Sequence, residues 1–305
     1  MMTPDSVQLR LAAFDYLDRL TAASPYVSRA QLRAFSFGGD VFPLISGSSR
    51  GIYKPERWTT VLSILSSDRP ASAGGYEDHY RADGTLLYQF MTYPGDDIGA
   101  YNRALLESSR RRVPLILLQK VEDKVFEPHY PVWIGGRVGN AVVVTGTLPD
   151  LGDPDSDDLA AELQRRYAVV TGRRRLHQNA FRSQVLFAYG DRCAICQLGR
   201  RGLLDAAHII DDAEDEGEPI VPNGLALCRI HHGAYDQFLI GIRPDLTIEV
   251  AEDVLNEVDG PMLEHGLKSI SGRRIRVPER AKHRPQRERL EWKYERFRRR
   301  MAGQP

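Results

Sequence analysis

A cluster of cysteines and histidines in the last third of the chain constrains its fold more than any other feature. The chain has 305 residues but only three cysteines, and all three lie between residues 193 and 228. Cys193 and Cys196 form a Cys-x-x-Cys pair, and Cys228 is followed three residues later by His231. This Cys3His set has the residue types and spacing of a structural Zn2+ site. The arrangement excludes a disulfide framework and indicates a reducing compartment.

The second ligand pair ends at His231, and a second histidine, His232, follows it directly. Cys228 and His231 are three residues apart, so on the first turn of a helix both lie on one face. His232 is rotated by about 100° from His231, because an α-helix has about 3.6 residues per turn. We therefore expect His231 to bind the zinc and His232 to point into a second site.

The segment between the two ligand pairs contains a further His and an Asn. An apolar strand is predicted at residues 203–210 and contains His208, an acidic loop follows at 211–218, and Asn223 precedes the apolar run 225–227. This order predicts a β-hairpin that presents His208 and Asn223 toward the helix carrying His232. The alternative is a zinc knuckle alone, in which both histidines have structural or surface roles.

Composition divides the chain at residues 148–158, which contain two prolines, a glycine and five aspartates. We predict a linker here, between a first domain at 1–150 and a second at 151–305. Segments before it are rich in Val, Ile, Leu and Tyr and are typical of strands of a curved sheet or barrel: 59–65, 86–92, 113–121, 125–133 and 141–147. Apolar spacing predicts helices at 7–22, 98–111, 157–170 and 179–189.

Charge is segregated although the formal net charge is zero. Thirteen of the 41 Lys and Arg residues lie between Arg273 and Arg300, where only four acids occur. Such a basic arm suits contacts to phosphates, and a solvated helix face with Glu and Arg in register is the alternative. No apolar stretch approaches the roughly 18 residues needed to cross a bilayer, and the N-terminus has no secretory signal pattern. We expect a soluble cytoplasmic protein without membrane contacts.

Residues 181–242 resemble the HNH nuclease family, which has a ββα-metal fold and here an added structural zinc. The resemblance depends on YGDRCAIC, LLDAAHI, NGLALC and HHGAYD, which begin at residues 189, 203, 223 and 231. It implies that His208 is the general base, that Asn223 fixes the hairpin and orients His208, and that His232 binds a catalytic Mg2+ or Mn2+. Phosphodiester hydrolysis suits an imidazole base and a divalent ion.

The second ligand of the catalytic metal departs from the family pattern. Many family members have an acid directly before the base, where this chain has Ala207. Asp205 is the nearest replacement, and Asp236 is a weaker candidate on the helix. The alternative for Asp205 is a cap or an ion pair on the hairpin.

The segment GGYED at residues 74–78 resembles the signature of SRA domains, which flip a modified cytosine out of duplex DNA. In that family two aromatic residues sandwich the base, and Tyr76 and Tyr88 have the family's separation. The family's acid, which accepts from the cytosine amine, is replaced here by His79, so we expect Asp78 to take that role, with His79 as the other candidate. Without the resemblance, tyrosines packed against a barrel would be the better prediction.

Together these features predict an α+β chain with an SRA-like (PUA-like) curved β-barrel domain and an HNH domain with helical flanks. The whole resembles the SRA-HNH modification-dependent endonucleases. That resemblance implies cleavage of double-stranded DNA containing 5-methylcytosine or 5-hydroxymethylcytosine, and one active site per chain suggests a homodimer. The alternatives are a non-enzymatic reader of modified DNA and an HNH nuclease that reads a different base modification.

Overall fold

The computed structural model describes residues 4–47, 51–66, 79–81, 85–91, 99–146, 180–211, 214, 216–258 and 260–302. The chain has a mixed α+β fold and forms two compact units, residues 1–180 and 181–305. The predicted linker and the predicted helix at 157–170 lie outside the described residues, so the boundary at residue 150 stays a prediction. Among the described helices, none has the length and apolar character required to span a membrane.

The first unit combines three described helices with short and long strands. The helices are α1 (Pro4–Thr21), α2 (Arg29–Arg33) and α3 (Gly99–Arg110). The strands are β1 (Val27–Ser28), β2 (Ser36–Phe37), β3 (Asp40–Val41), β4 (Ile52–Tyr53), β5 (Ser63–Ser66), β6 (His79–Tyr80), β7 (Leu86–Gln89), β8 (Leu115–Glu122), β9 (Val125–Val138) and β10 (Ala141–Thr145). Each of the five predicted strand segments overlaps one of these strands.

Eight of these strands form one curled sheet in the order β4-β5-β8-β9-β10-β7-β6, with β1 also paired to β9. The β5–β8 pair is parallel and the other pairs are antiparallel. The long central strand β9 shifts register against both of its neighbours, and such bulges bend a strand and increase its twist. This half-barrel agrees with the predicted curved sheet.

Helix α1 is fastened to the sheet by a buried arginine. Arg10 is fully buried and donates to the carbonyls of Pro114 (2.6 Å) and Val61 (2.8 Å) and to the Thr60 hydroxyl (2.9 Å). Burial lowers the pKa of Arg10 to about 9. Because a buried cation without hydrogen bonds would be costly, these three bonds fix where α1 lies.

The second unit is built from two strand pairs and five described helices. The strands are β11 (Leu204–His208), β12 (Gly224–Cys228), β13 (Ile240–Ile242) and β14 (Ile248–Val250). The helices are α4 (Ala180–Ala188), α5 (Arg229–Asp236), α6 (Glu252–Asn256), α7 (Pro261–Gly266) and α8 (Arg287–Met301). Helix α8 packs closely on β13, where a Cβ on Gly241 would lie 2.6 Å from the Phe297 ring. The predicted order of strand, loop, strand and helix is confirmed in β11, β12 and α5.

Candidate active site and metal centre

The Cys3His residues converge on one point in the second unit. The ligand atoms of Cys193, Cys196, Cys228 and His231 all lie within 4.8 Å of one another. The Sγ atoms of Cys196 and Cys228 are 3.9 Å apart, and His231 Nδ1 is 3.5 Å from Cys193 Sγ. Four ligands placed tetrahedrally around Zn2+ at about 2.3 Å would be separated by about 3.8 Å. The donor set and its dimensions therefore fit a metal ion such as zinc.

Neighbouring backbone groups hold the ligands in place. His231 Nε2 lies 2.9 Å from the carbonyl of Gly266, and a proton donated there leaves Nδ1 free to bind the metal. The amide of Ala194 donates to Ala226 in β12 (2.7 Å), which joins the Cys-x-x-Cys loop to the hairpin. Gln197 adopts a positive φ of 63° and closes that loop by donating to the carbonyl of Cys193 (3.0 Å). These contacts therefore hold the Cys-x-x-Cys loop and His231 in the positions that ligation requires.

The thiol groups of the cluster also influence one another. A hydrogen bond from Cys228 lowers the pKa of Cys193, and the same pairing raises the pKa of Cys228. Burial raises the pKa of Cys196. These shifts favour the thiolate at Cys193 over thiolates at Cys196 and Cys228. A bound divalent cation would remove that preference, since thiolates are the form that ligates metals.

His208 lies at the end of β11, next to the loop that joins the two strands. It is half-buried, and it pairs in register with Gly224 of β12. Its ring stacks on Phe181 of α4, with centroids 4.1 Å apart and planes inclined by 20°. Gly224 is required beside this stack, because a Cβ there would lie 2.8 Å from the Phe181 ring. The sequence prediction did not include Phe181 or the steric role of Gly224.

Asn223 is fully buried and holds the other end of the hairpin loop. Its Oδ1 accepts from the amide of Ile210 (2.9 Å), and its Nδ2 donates to the carbonyls of Ile210 (3.0 Å) and Glu218 (2.9 Å). The side-chain amide therefore bonds to both the N–H and the C=O of Ile210, as the backbone of a neighbouring strand does. Ile210 lies two residues beyond His208. This geometry is what the predicted role, fixing the hairpin and orienting His208, requires.

His232 points to a different partner from that of His231, as the helical spacing predicts. Its Nε2 lies 3.2 Å from Asp236 Oδ2, one turn later in α5. The hydrogen bond to Asp236 raises the pKa of His232, and the charge of Asp205 adds to this effect. Asp205 itself lies 3.3 Å from Nε of Arg182. The structure thus places Asp236 in direct contact with His232, whereas Asp205 forms the ion pair that its alternative prediction describes.

The predicted base pocket lies only partly within the described residues. Tyr76 and Asp78 lie outside them, and His79 is in β6, paired with Leu87. Tyr88 is buried in the core of the first unit, where its hydroxyl donates to the carbonyl of Gly51 (3.1 Å). Tyr88 is therefore fixed at both its ring and its hydroxyl.

Helix α8 supplies contacts that the sequence prediction did not identify. Three of its basic residues pair with acids in the loop between β11 and β12: Lys293 with Asp211 (3.0 Å), Arg289 with Glu218 (2.9 Å) and Arg296 with Glu214 (3.5 Å). Lys293 is buried and also lies over the Tyr235 ring of α5. Helical spacing places residues 289, 293 and 296 on one face of the helix, and this pattern could have indicated from the sequence that the three cations act together. Part of the basic arm thus belongs to the packing of the second unit.

A hairpin that presents a histidine, followed by a helix that presents another, is the ββα arrangement of HNH nucleases. Residues 193–243 match the family model described as HNH endonuclease. The second unit therefore contains a segment that belongs to an HNH endonuclease domain. The match begins at Cys193 and includes the Cys3His cluster together with His208, Asn223 and His232.

Among solved structures, the chain is similar to a modification-dependent TagI restriction endonuclease. The identity is 15%, and the alignment covers 89% of this chain and 90% of that chain with a TM-score of 0.30. A TM-score of this size does not define a common fold, so the assignment depends on the family match and the site. No curated protein matches the chain.

Proposed function

We propose that this protein is a modification-dependent restriction endonuclease that cuts duplex DNA containing a modified cytosine. The observation that carries the nuclease part is the placement of His208 and His232 on one strand–strand–helix unit, inside the segment that matches the HNH family. The recognition part is supported by the SRA-like sequence of the first unit. The mark is 5-methylcytosine or 5-hydroxymethylcytosine in this proposal.

His208 acts as the general base. A half-buried imidazole at the end of a strand can take a proton from water near neutral pH, because its ordinary pKa of about 6.5 lies close to that range. The stack on Phe181 fixes the plane of the ring, and Asn223 fixes the backbone that follows it. Both contacts hold the base in one orientation, which is the main requirement for efficient proton transfer.

His232 and Asp236 hold the catalytic divalent ion, with Asp205 as the other candidate carboxylate. The residues fit such an ion, since an imidazole and a carboxylate lie 3.2 Å apart and Mg2+ or Mn2+ keeps several water ligands of its own. When bound, the ion stabilises negative charge on the phosphate and on the leaving oxygen. The Cys3His cluster binds structural Zn2+, and His231 rather than His232 serves that site.

In the first unit, Tyr76 and Tyr88 enclose the extruded base. Tyr88 forms the fixed wall of the pocket because its ring is buried and its hydroxyl is bound to Gly51. Asp78 accepts from the cytosine amine, and His79 is the alternative donor or acceptor at the base edge. Base stacking of this kind contributes roughly 1 to 3 kcal/mol per base, which helps to offset the cost of unstacking. Two copies of the chain would supply one active site for each strand.

The test uses matched duplexes that carry plain, methylated or hydroxymethylated cytosine, incubated with the purified protein and Mg2+ or Mn2+. Cleavage confined to modified duplexes is the expected result, and His208→Ala should bind them without cutting. His265→Ala is the matched control, because His265 is exposed on α7. Cutting of all three duplexes would reject the recognition proposal, and binding without cutting by the unaltered protein would reject the nuclease proposal.

A further inference from the structure

The structure divides the basic C-terminal segment into two parts with different surroundings. In α8, Arg289, Lys293 and Arg296 are paired with acidic residues of the active-site loop. The preceding residues, 273–287, contain seven Lys and Arg, all exposed, and one acid, Glu279. We call this part the basic edge. Within the part of the chain that the structure describes, five of its cations form no ion pair: Arg273, Arg274, Arg276, Arg284 and Arg287.

The start of the basic edge is held in an extended conformation by backbone hydrogen bonds. The amide of Ile275 donates to Leu246 (3.0 Å), and Arg274 forms a β-bridge with Thr247. Ile275 is buried, so the two flanking residues, Arg274 and Arg276, point to the opposite, solvent side. These two cations are therefore presented together on one surface.

The basic edge is also joined directly to the Cys3His loop. The amide of Arg276 donates to the carbonyl of Ala194 (2.8 Å), which lies between the first two cysteines. The Arg276 guanidinium donates to Gln197 Oε1 (3.1 Å), and Gln197 in turn donates to Cys193 (3.0 Å). The charged surface is thus fixed before any ligand binds, which lowers the entropy lost on association.

A cavity of about 240 Å³ lies along the same segment. Its walls include the side chains of Arg276, Arg280 and His283, with Glu279 as the acid among them. This volume is several times the roughly 30 Å³ that one water occupies in the liquid. Tyr189 also lines it and lies 3.4 Å from the carbonyl of Gly224, the register partner of His208. Tyr189 therefore contacts both the cavity and the hairpin that carries His208.

We propose that the basic edge binds the sugar-phosphate backbone of duplex DNA beside the bond that is hydrolysed with His208 as the general base. Duplex DNA carries one negative charge per about 1.7 Å of its axis, and arginine matches phosphate geometry with two parallel hydrogen bonds. Arg289, Lys293 and Arg296 of α8 do not share this role, because acids of the loop between β11 and β12 are paired with them. This inference rests on the proposed endonuclease function and names the surface through which that function reaches its substrate.

The experiment measures the salt dependence of DNA affinity by fluorescence anisotropy. The full chain carries His208→Ala to prevent cutting, and one modified duplex is titrated at several KCl concentrations in Mg2+. The test variant adds R274Q and R276Q. The control adds R243Q and R296Q, which remove the same charge from arginines that are already paired with Glu249 and Glu214. Thermal unfolding and bound zinc are measured for each protein.

Each neutralised phosphate contributes about 0.9 to the slope of log affinity against log salt, so the test variant should lose about 1.8 from that slope. The control should keep the slope of the parent. Equal losses in both variants would show a net-charge effect and overturn the proposal, as would an unchanged slope in the test variant. If the parent itself does not bind the duplex, the proposed function fails instead.

Discussion

Replacing Asn223 by Ala should loosen the catalytic hairpin without unfolding the first unit. The substitution removes the hydrogen bonds from Asn223 to the amide and carbonyl of Ile210 and to the carbonyl of Glu218. Ile210 is 1% exposed, so its amide would lose its partner in a place that water does not easily reach. At about 1 kcal/mol net for each of the three bonds, the total cost is about 3 kcal/mol.

Hydrogen exchange followed by mass spectrometry measures this loss directly. A tenfold change in an equilibrium corresponds to about 1.4 kcal/mol, so exchange in the peptide covering residues 224–228 should rise roughly 100-fold. A peptide covering residues 115–122 of the first unit serves as the internal control and should exchange as in the unaltered protein. Cleavage should fall while DNA binding is retained, because His208 loses its fixed backbone. Exchange at 224–228 within threefold of the parent would refute the argument.

Asn223→Asp is the shape-matched variant, because it keeps the acceptor for the amide of Ile210. Its second oxygen would face the carbonyls of Ile210 and Glu218, so an ionised Asp is disfavoured there and its folded pKa is raised. When the pKa of the introduced carboxyl group is higher in the folded than in the unfolded protein, the variant is most stable below the unfolded pKa of about 3.9. Its free energy of unfolding then falls as pH rises through the folded pKa. Its deficit relative to the parent should therefore be larger at pH 8 than at pH 5. An equal deficit at both values would contradict the assigned hydrogen bonds.

Three further substitutions test separate parts of the structure. Gly224→Ala should cost about 2 kcal/mol in thermal unfolding, because its Cβ would lie 2.8 Å from the Phe181 ring that stacks on the base. Cys193→Ser should abolish the binding of one zinc ion per chain, and hydrogen exchange should rise in the second unit but not in the first, because metal affinity contributes folding free energy. If the variant retained both the zinc and the protection of its amides from exchange, the assignment of the metal cluster would be wrong. Glu107→Gln should cost about 1 kcal/mol at pH 7, where solvent screens the pair. The hydrogen bond from Arg110 lowers the pKa of Glu107 to about 2. The stability difference between parent and variant should therefore disappear as pH falls from 4.5 toward 2, and a stability difference that does not change with pH would contradict the ion pair.

The parts of the site that the sequence predicted depend on local spacing. Cys193 and Cys196 belong to one tight loop, and Cys228 and His231 to one helical turn, so their convergence follows from residue counting. The separation of His232 from the zinc site follows from the same helix period and is seen in its contact with Asp236. Local composition rich in Val, Ile, Leu and Tyr likewise predicted β8, β9 and β10, although β9 extends five residues beyond its predicted end and shifts register against both of its neighbours.

The parts that the sequence did not predict depend on contacts between distant residues. Lys293 and Asp211 are 82 positions apart, and a charge count does not tell which cations have acidic partners. The sequence therefore predicts one basic surface, whereas Arg289, Lys293 and Arg296 of α8 are paired with acids of the same unit. The same holds for the base pocket, because composition alone predicts Tyr88 as a core residue and only the family resemblance makes it a wall for a ligand. Its burial and its bond to Gly51 agree with the former and permit the latter.

The metal cluster and the catalytic hairpin share one strand, and this explains why they occur together. Strand β12 begins at Gly224, the partner of His208, and ends at Cys228, a ligand of the cluster and the N-cap of α5. A five-residue strand has few hydrogen bonds of its own and would be marginal in water. A metal ion at Cys228 would fix that end of the strand and the start of the helix that carries His232. Under the proposed roles, a metal ion in the cluster would stabilise the distance between His208 and His232, so loss of the ion should reduce cleavage even where the rest of the domain persists.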